Sequence, residues 1–182
     1  MNRKLMLAVL MMMGMGLWMA ALSVAADDKK ENESGDKEFV CKVSASGLAE
    51  VNMSELAVRF SRDPAIRQFA QRMIADHMRA NQELTQLANQ KSIKLPTKMD
   101  DEHQKIYDKI KTLSGKEFDE KYMEAMTKDH EKAVKLFETQ SKDGKDQAVK
   151  QWASQVTPVI KRHHEAAKKI CEQHKSEKKD KD

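Results

Sequence analysis

The chain has six histidines, and two of them repeat one local design. Met73-Ile-Ala-Asp76-His77-Met-Arg-Ala80 and Met126-Thr-Lys-Asp129-His130-Glu-Lys-Ala133 share the pattern Met-x-x-Asp-His-x-x-Ala, an internal pseudo-repeat. His163 echoes it, with Val159 four residues before and Ala166 three after. On a helical wheel His77 lies in line with Ala70, Met73, Ala80 and Leu84. His130 lines up with Met126, Ala133 and Phe137, and His163 with Val156, Ile160, Ala167 and Ile170. Glu50 falls on the stripe of Val43, Gly47 and Ala57. Each of these four polar groups therefore points into an apolar core. At about 1.5 Å of rise per residue, all four come to nearly the same height on their helices. One carboxylate and three imidazoles converging inside a bundle are how such folds build metal sites. Glu50, His77, His130 and His163 are the candidate ligands of a mononuclear first-row ion, and nitrogen-rich donors suit zinc, iron or copper. A second reading stands beside it. The same residues could form a buried polar layer, paired with one another or with Asp76 and Asp129, that only fixes helix register.

The elements that would hold these residues follow from apolar spacings of three and four. Phe39, Val43, Val51, Leu56 and Phe60 form one series; Ile66, Phe69, Met73, Leu84 and Leu87 a second. Tyr122, Met126, Val134 and Phe137 form a third, and Val149, Trp152, Val156, Ile160 and Ile170 a fourth. The spacing predicts long helices near 37–61, 64–90, 116–141 and 145–173, with a shorter one near 99–113. Asp63-Pro64 reads as a cap followed by a first-turn proline, Ser114-Gly-Lys-Glu117 as a capping box, and Gly144 as a helix end. Pro158, inside the last helix, removes a hydrogen bond to Ser154.

Composition bounds the rest. The chain has 182 residues, 34 % of them charged and 5 % aromatic, with six glycines and three prolines. Such a chain lacks the turns and strand formers of a β-sandwich and suits one helical domain. Asn2-Arg3-Lys4, the uncharged run from Leu5 to Leu22 and the small residues Ser23-Val-Ala-Ala26 read as a signal peptide over 1–26, cleaved near Ala25 or Ala26. The mature protein would then be periplasmic or secreted and without a membrane span. Arg3 and Lys4 leave with that segment, so the net charge falls from +4 to +2, too close to balance to argue for nucleic acid. Residues 27–38 and 172–182 carry no apolar anchor and read as disordered charged leader and tail around a domain at 39–171.

Met73 and Met126 precede their histidines by one turn, a spacing that suits copper but also ordinary core filling. His103 reads as a rim histidine, His164 as a poorer substitute for His163, and His174 as part of the tail. No nucleophile–base pair, phosphate loop or paired catalytic carboxylate is present, so the chain does not read as an enzyme.

From Phe39 to Ile170 the chain resembles the bacterial domain-of-unknown-function family 4142, of the ferritin-like superfamily. The resemblance is carried by Gly47-Leu-Ala-Glu50-Val51, Phe69-Ala-Gln-Arg-Met73, Asp76-His77, Ala80-Asn81, Leu95-Pro96, Ser114-Gly115, Phe118-Asp119, Tyr122, His130, Pro158 and His163. It implies an all-α, ferritin-like four-helix bundle, with the short extra helix in the connection between the second and third long helices, exported and of unassigned activity. Di-iron members of that superfamily use Glu-x-x-His pairs, whereas Ile74, Thr127 and Ile160 stand three residues before His77, His130 and His163. The expected role is an envelope metal or stress protein, or else a structural or protein-interaction module of the envelope. Cys41 and Cys171 would share an end in an up-down-up-down bundle and lie at opposite ends in the ferritin-like order. The 91–115 connection is long enough for a crossover, which predicts free thiols.

Overall fold

The computed structural model describes residues 34–179, and the expected signal peptide lies outside them. Among the described residues, those from Asp36 onward make one compact unit. The helices are α1 over residues 34–60, α2 at Pro64–Gln90, α3 at Asp101–Ile110, α4 at Gly115–Asp143 and α5 at Gln147–Lys179. The all-α class, the long helices and the short helix in the central connection are as the periodicity predicts.

Local chemistry explains most of the breaks. Asp63 accepts hydrogen bonds from the Ala65 and Ile66 amides at 2.7 and 3.1 Å, with Pro64 opening α2. Asp100 caps α3 through the His103 amide, and Asp146 caps the start of α5 through Ala148 and Val149. The capping box at Ser114 does not form. Gly115 is left-handed, with φ of 57°, and the Ser114 side chain makes no cap bond.

Two apolar clusters give the helix directions. In one, Met53 and Leu56 of α1 meet Ile66 and Phe69 of α2, Phe118 and Tyr122 of α4, and Ala167 and Ile170 of α5. In the other, Phe39 and Val43 meet Leu84 and Leu87, Phe137, and Val149 and Trp152. Helices α1 and α5 therefore run one way and α2 and α4 the other, the up-down-down-up order of ferritin-like bundles. The connection between α2 and α4 must travel the length of the bundle. Ile93 and Leu95 pack on the second cluster, Met99, Ile106 and Tyr107 on the first, and α3 lies along α4. Cys41 and Cys171 fall at opposite ends, and both are free.

Residues 27–33 of the expected leader and 180–182 of the expected tail lie outside the described residues, and the described parts of both are helical. From residue 34 the expected leader is already helical, and α5 continues to Lys179. The anchors are polar, which a search for apolar residues overlooks. Buried Asp36 accepts from Gln140 Nε2 at 2.5 Å, from the Asp146 amide at 2.6 Å and from the Lys145 amide, so it braces the α4–α5 turn. His174 Nε2 lies 3.0 Å from Asp63 Oδ2, tying the end of α5 to the α1–α2 corner.

Candidate metal centre

The two apolar clusters are separated by a polar layer. Glu50 of α1, His77 of α2, His130 of α4 and His163 of α5 are all buried there, between Val43 and Met53, Met73 and Leu84, Met126 and Phe137, and Ile160 and Ala167. Each helix contributes one of them because each carries a polar residue on its core stripe at mid-length. The imidazole centroids are 5.4, 5.4 and 5.7 Å apart.

The three rings are alike in one respect: one nitrogen is held and the other has no partner. His130 Nδ1 lies 2.9 Å from the Met126 carbonyl oxygen. A carbonyl can only accept, so Nδ1 carries the hydrogen and Nε2 keeps its lone pair. His163 Nε2 donates to Asp76 Oδ2 at 2.9 Å, which leaves Nδ1 as the lone-pair nitrogen. His77 Nδ1 lies 3.1 Å from Glu50 Oε2, and Glu50 Oε1 is 3.5 Å from His130 Nδ1. The nitrogens left over, Nε2 of His77, Nε2 of His130 and Nδ1 of His163, are buried without hydrogen-bond partners. One donor atom from each of the three histidines lies within 4.8 Å of those from the other two.

Electrostatics keeps the rings uncharged. Burial, followed by the neighbouring His130 and His163, holds His77 well below the ordinary histidine value. Burial and His163 push His130 down to about 3. Burial also lowers His163, against the opposing pull of Asp76. Glu50 is raised well above the ordinary carboxyl value by burial and by the Asp129 carboxylate. A neutral imidazole is the form that binds metal.

The structure thus gathers all four residues singled out in the sequence, but in two roles. The histidines form the converging donor set, whereas Glu50 faces the Nδ1 side of His77 and His130. The aspartates of the repeated Asp-His pairs each face a histidine of another helix. Asp76 holds His163, and Asp129 Oδ2 lies 3.7 Å from His103 Nε2, whose Nδ1 is 2.6 Å from Asp100. One step along a helix turns about 100°, so the residue before an inward histidine sits at the seam with the next helix. The repetition of Asp before His was the available signal. The Met126 carbonyl left none, because a backbone acceptor has no side-chain identity.

Between α2 and α5 a cleft of about 220 Å³ leads to the layer, lined by His77 and His163 together with Asp76, Ala80, Val159 and Ile160. Asp76 is 30 % exposed there.

The fold and site define an all-helical bundle of ferritin-like order with a mid-bundle imidazole cluster. The chain belongs to the DUF4142 family, a domain of unknown function, whose match spans residues 21–170. No curated protein gives a significant match. Similar solved structures include a DUF305 fragment from Deinococcus radiodurans, with a TM-score of 0.68 at 11 % identity over 76 % of this chain and 96 % of that one. CopM in its Cu(II)-bound form superposes with a TM-score of 0.65 at 16 % identity, over 76 % of this chain and 96 % of that one. A DUF305 protein from Streptomyces coelicolor, designated as secreted, gives 0.63 at 17 % identity over 75 % and 89 %. At these identities the likeness is one of fold.

Proposed function

We propose that this protein binds one transition-metal ion at mid-bundle through Nε2 of His77, Nε2 of His130 and Nδ1 of His163. The observation that carries this reading is a group of three buried histidines that bring one ring nitrogen each within 4.8 Å of the others, every ring keeping one nitrogen without a hydrogen-bond partner. Leaving such groups unsatisfied costs about 1–3 kcal/mol each, and a metal ion satisfies all three at once. Glu50, the Met126 carbonyl and Asp76 take the role of outer partners that fix ring orientation, as carboxylates and carbonyls do around metal-bound histidines. Metal–nitrogen bonds of about 2.0–2.1 Å require the donors to draw in by roughly an ångström, within reach of small ring rotations. Imidazole suits zinc, iron and copper, and divalent copper binds most tightly of these. The Cu(II)-bound CopM neighbour supports trying copper first.

The proposed role is binding rather than turnover, in an exported protein handling metal or metal stress at the cell envelope. The basic, apolar, small-residue order of residues 1–26 supports export. Among the described residues no helix is long and apolar enough to cross a membrane.

The test is metal-dependent stability. At a thousandfold excess over the dissociation constant, Cu²⁺, Zn²⁺ or Fe²⁺ adds about 4 kcal/mol, which for a domain of this size raises the melting temperature by roughly 8–16 °C. A chelator reverses the gain, and His77→Ala, His130→Ala and His163→Ala each remove most of it. A flat response to all three ions, with each substitution costing about 1–3 kcal/mol whether or not metal is present, would make the layer structural and the protein a packing or interaction module.

A further inference from the structure

Resting on the metal reading above, we propose that the bound ion keeps a fourth coordination position open toward the α2–α5 cleft, where it takes a small exogenous anion. Three protein donors leave a tetrahedral ion one ligand short, the arrangement that separates exchangeable sites from closed structural ones. Among the described residues only His77, His130 and His163 converge as a donor group. The nearby carboxylates are committed elsewhere: Glu50 faces the outer nitrogens of His77 and His130, and Asp76 holds His163.

The direction of access is set by burial. His77 is 6 % exposed, His163 2 % and His130 0 %. The two rings with residual exposure are the two that line the cleft, so the layer is reached from the α2–α5 side and closed on the α4 side. The passage stays open because Ala80, one turn beyond His77, gives it a small wall.

Charge selects an anion. Three neutral imidazoles cancel none of the charge of a divalent ion, so the open position favours a negative ligand. Along the cleft Asp76 accepts from His163 and Glu83 from Trp152 Nε1 at 3.2 Å, which directs both carboxylates to protein donors, and exposed Arg79 places a cation beside them; the pull on the anion is that of the ion itself. The step is a ligand exchange: a lone pair of the anion forms a bond to the ion as a bound water leaves, with no electron transferred.

Cu²⁺-loaded full-length mature protein titrated with azide tests this. The expected result is a new ligand-to-metal charge-transfer band that saturates at one azide per copper. Ala80→Leu and Val159→Phe, which fill the cleft without touching a metal donor, should each weaken azide binding at least tenfold while copper still titrates to one per chain. Circular dichroism melting identifies any variant that fails to fold, and the other variant then carries the comparison. If copper binds stoichiometrically but azide leaves the spectrum unchanged, the coordination shell is closed and this inference falls while the metal reading stands. If azide binds equally well to both folded variants and to the parent, access through the cleft is overturned. If the parent binds no copper, zinc or iron, the metal reading itself fails.

Discussion

Glu50 serves two imidazoles from one buried carboxyl group, and that arrangement sets how the polar layer responds to protons. His130 is pushed down to about 3, and His77 and His163 are lowered, so each takes up a proton more readily in the unfolded chain. The folded state must therefore lose stability as the pH falls below 6.5, and for His130 the loss continues down to about 3. Glu50 acts in the opposite sense: its contribution is complete below the ordinary value of 4.5 and is lost as the pH rises through its raised folded value. Three histidines outweigh one glutamate. Urea denaturation of the metal-free protein between pH 6 and pH 4.5 should show stability falling with pH. His130→Gln should flatten the slope by about 1.4 kcal/mol per pH unit; an unchanged slope would mean that His130 is already charged in the folded chain. The division between ring donors and outer partners makes a second prediction. Glu50→Gln and Asp76→Asn should weaken copper binding about 10- to 100-fold, as read by competition with a chelator, whereas loss of a histidine removes most of it. Complete loss of binding in Glu50→Gln would restore the glutamate as a direct ligand.

Among the elements, Gly47 of α1, three residues before Glu50, leaves the space that the Asn81 side chain of α2 occupies. A Cβ there would stand 2.4 Å from Asn81 Oδ1. Gly47→Val should therefore force Asn81 aside and destabilise the bundle by about 1–3 kcal/mol, measured by chemical denaturation; a neutral result would show that the Asn81 side chain moves away without cost. The α4–α5 corner has a different fastening. Asp36 receives the Gln140 side chain and the Lys145 and Asp146 amides, and Gly144 ends α4 where a Cβ would meet Gln140. Asp36→Ala strands buried donors and should cost about 1–3 kcal/mol, with faster amide exchange at 145 and 146. Unchanged exchange there would show that the corner holds without the aspartate.

For the whole molecule, the crossover decides the fate of the cysteines. Cys41 and Cys171 lie on opposite sides of the histidine layer, about 25 Å apart along the bundle at 1.5 Å per residue, whereas a disulfide needs Cα atoms within about 7 Å. The folded protein should titrate as two free thiols per chain after exposure to mild oxidant. A peptide map linking Cys41 to Cys171 within one chain would overturn the helix order. The same order makes α2 and α4 parallel, so the two Met-x-x-Asp-His-x-x-Ala segments present their histidines at one height from the same direction.

The sequence by itself determined the helices and the inward aim of the four polar residues, because both follow from a 3.6-residue repeat that any apolar core enforces. It determined their common height as well, since long helices of similar length packed around one core align at their midpoints. Only the tertiary structure decided which nitrogen of each ring is held and which is left without a partner, because that depends on partners from other helices and on a backbone carbonyl. It also decided that Glu50 stands behind the rings rather than among the converging donors, a difference of one ring nitrogen that helical periodicity cannot resolve. Residues 34–38 and the end of α5 escaped the sequence reading for a related reason: hydrogen bonds accepted by Asp36 and the contact of His174 with Asp63 hold them, and an isolated polar residue announces no partner until the chain has folded around it.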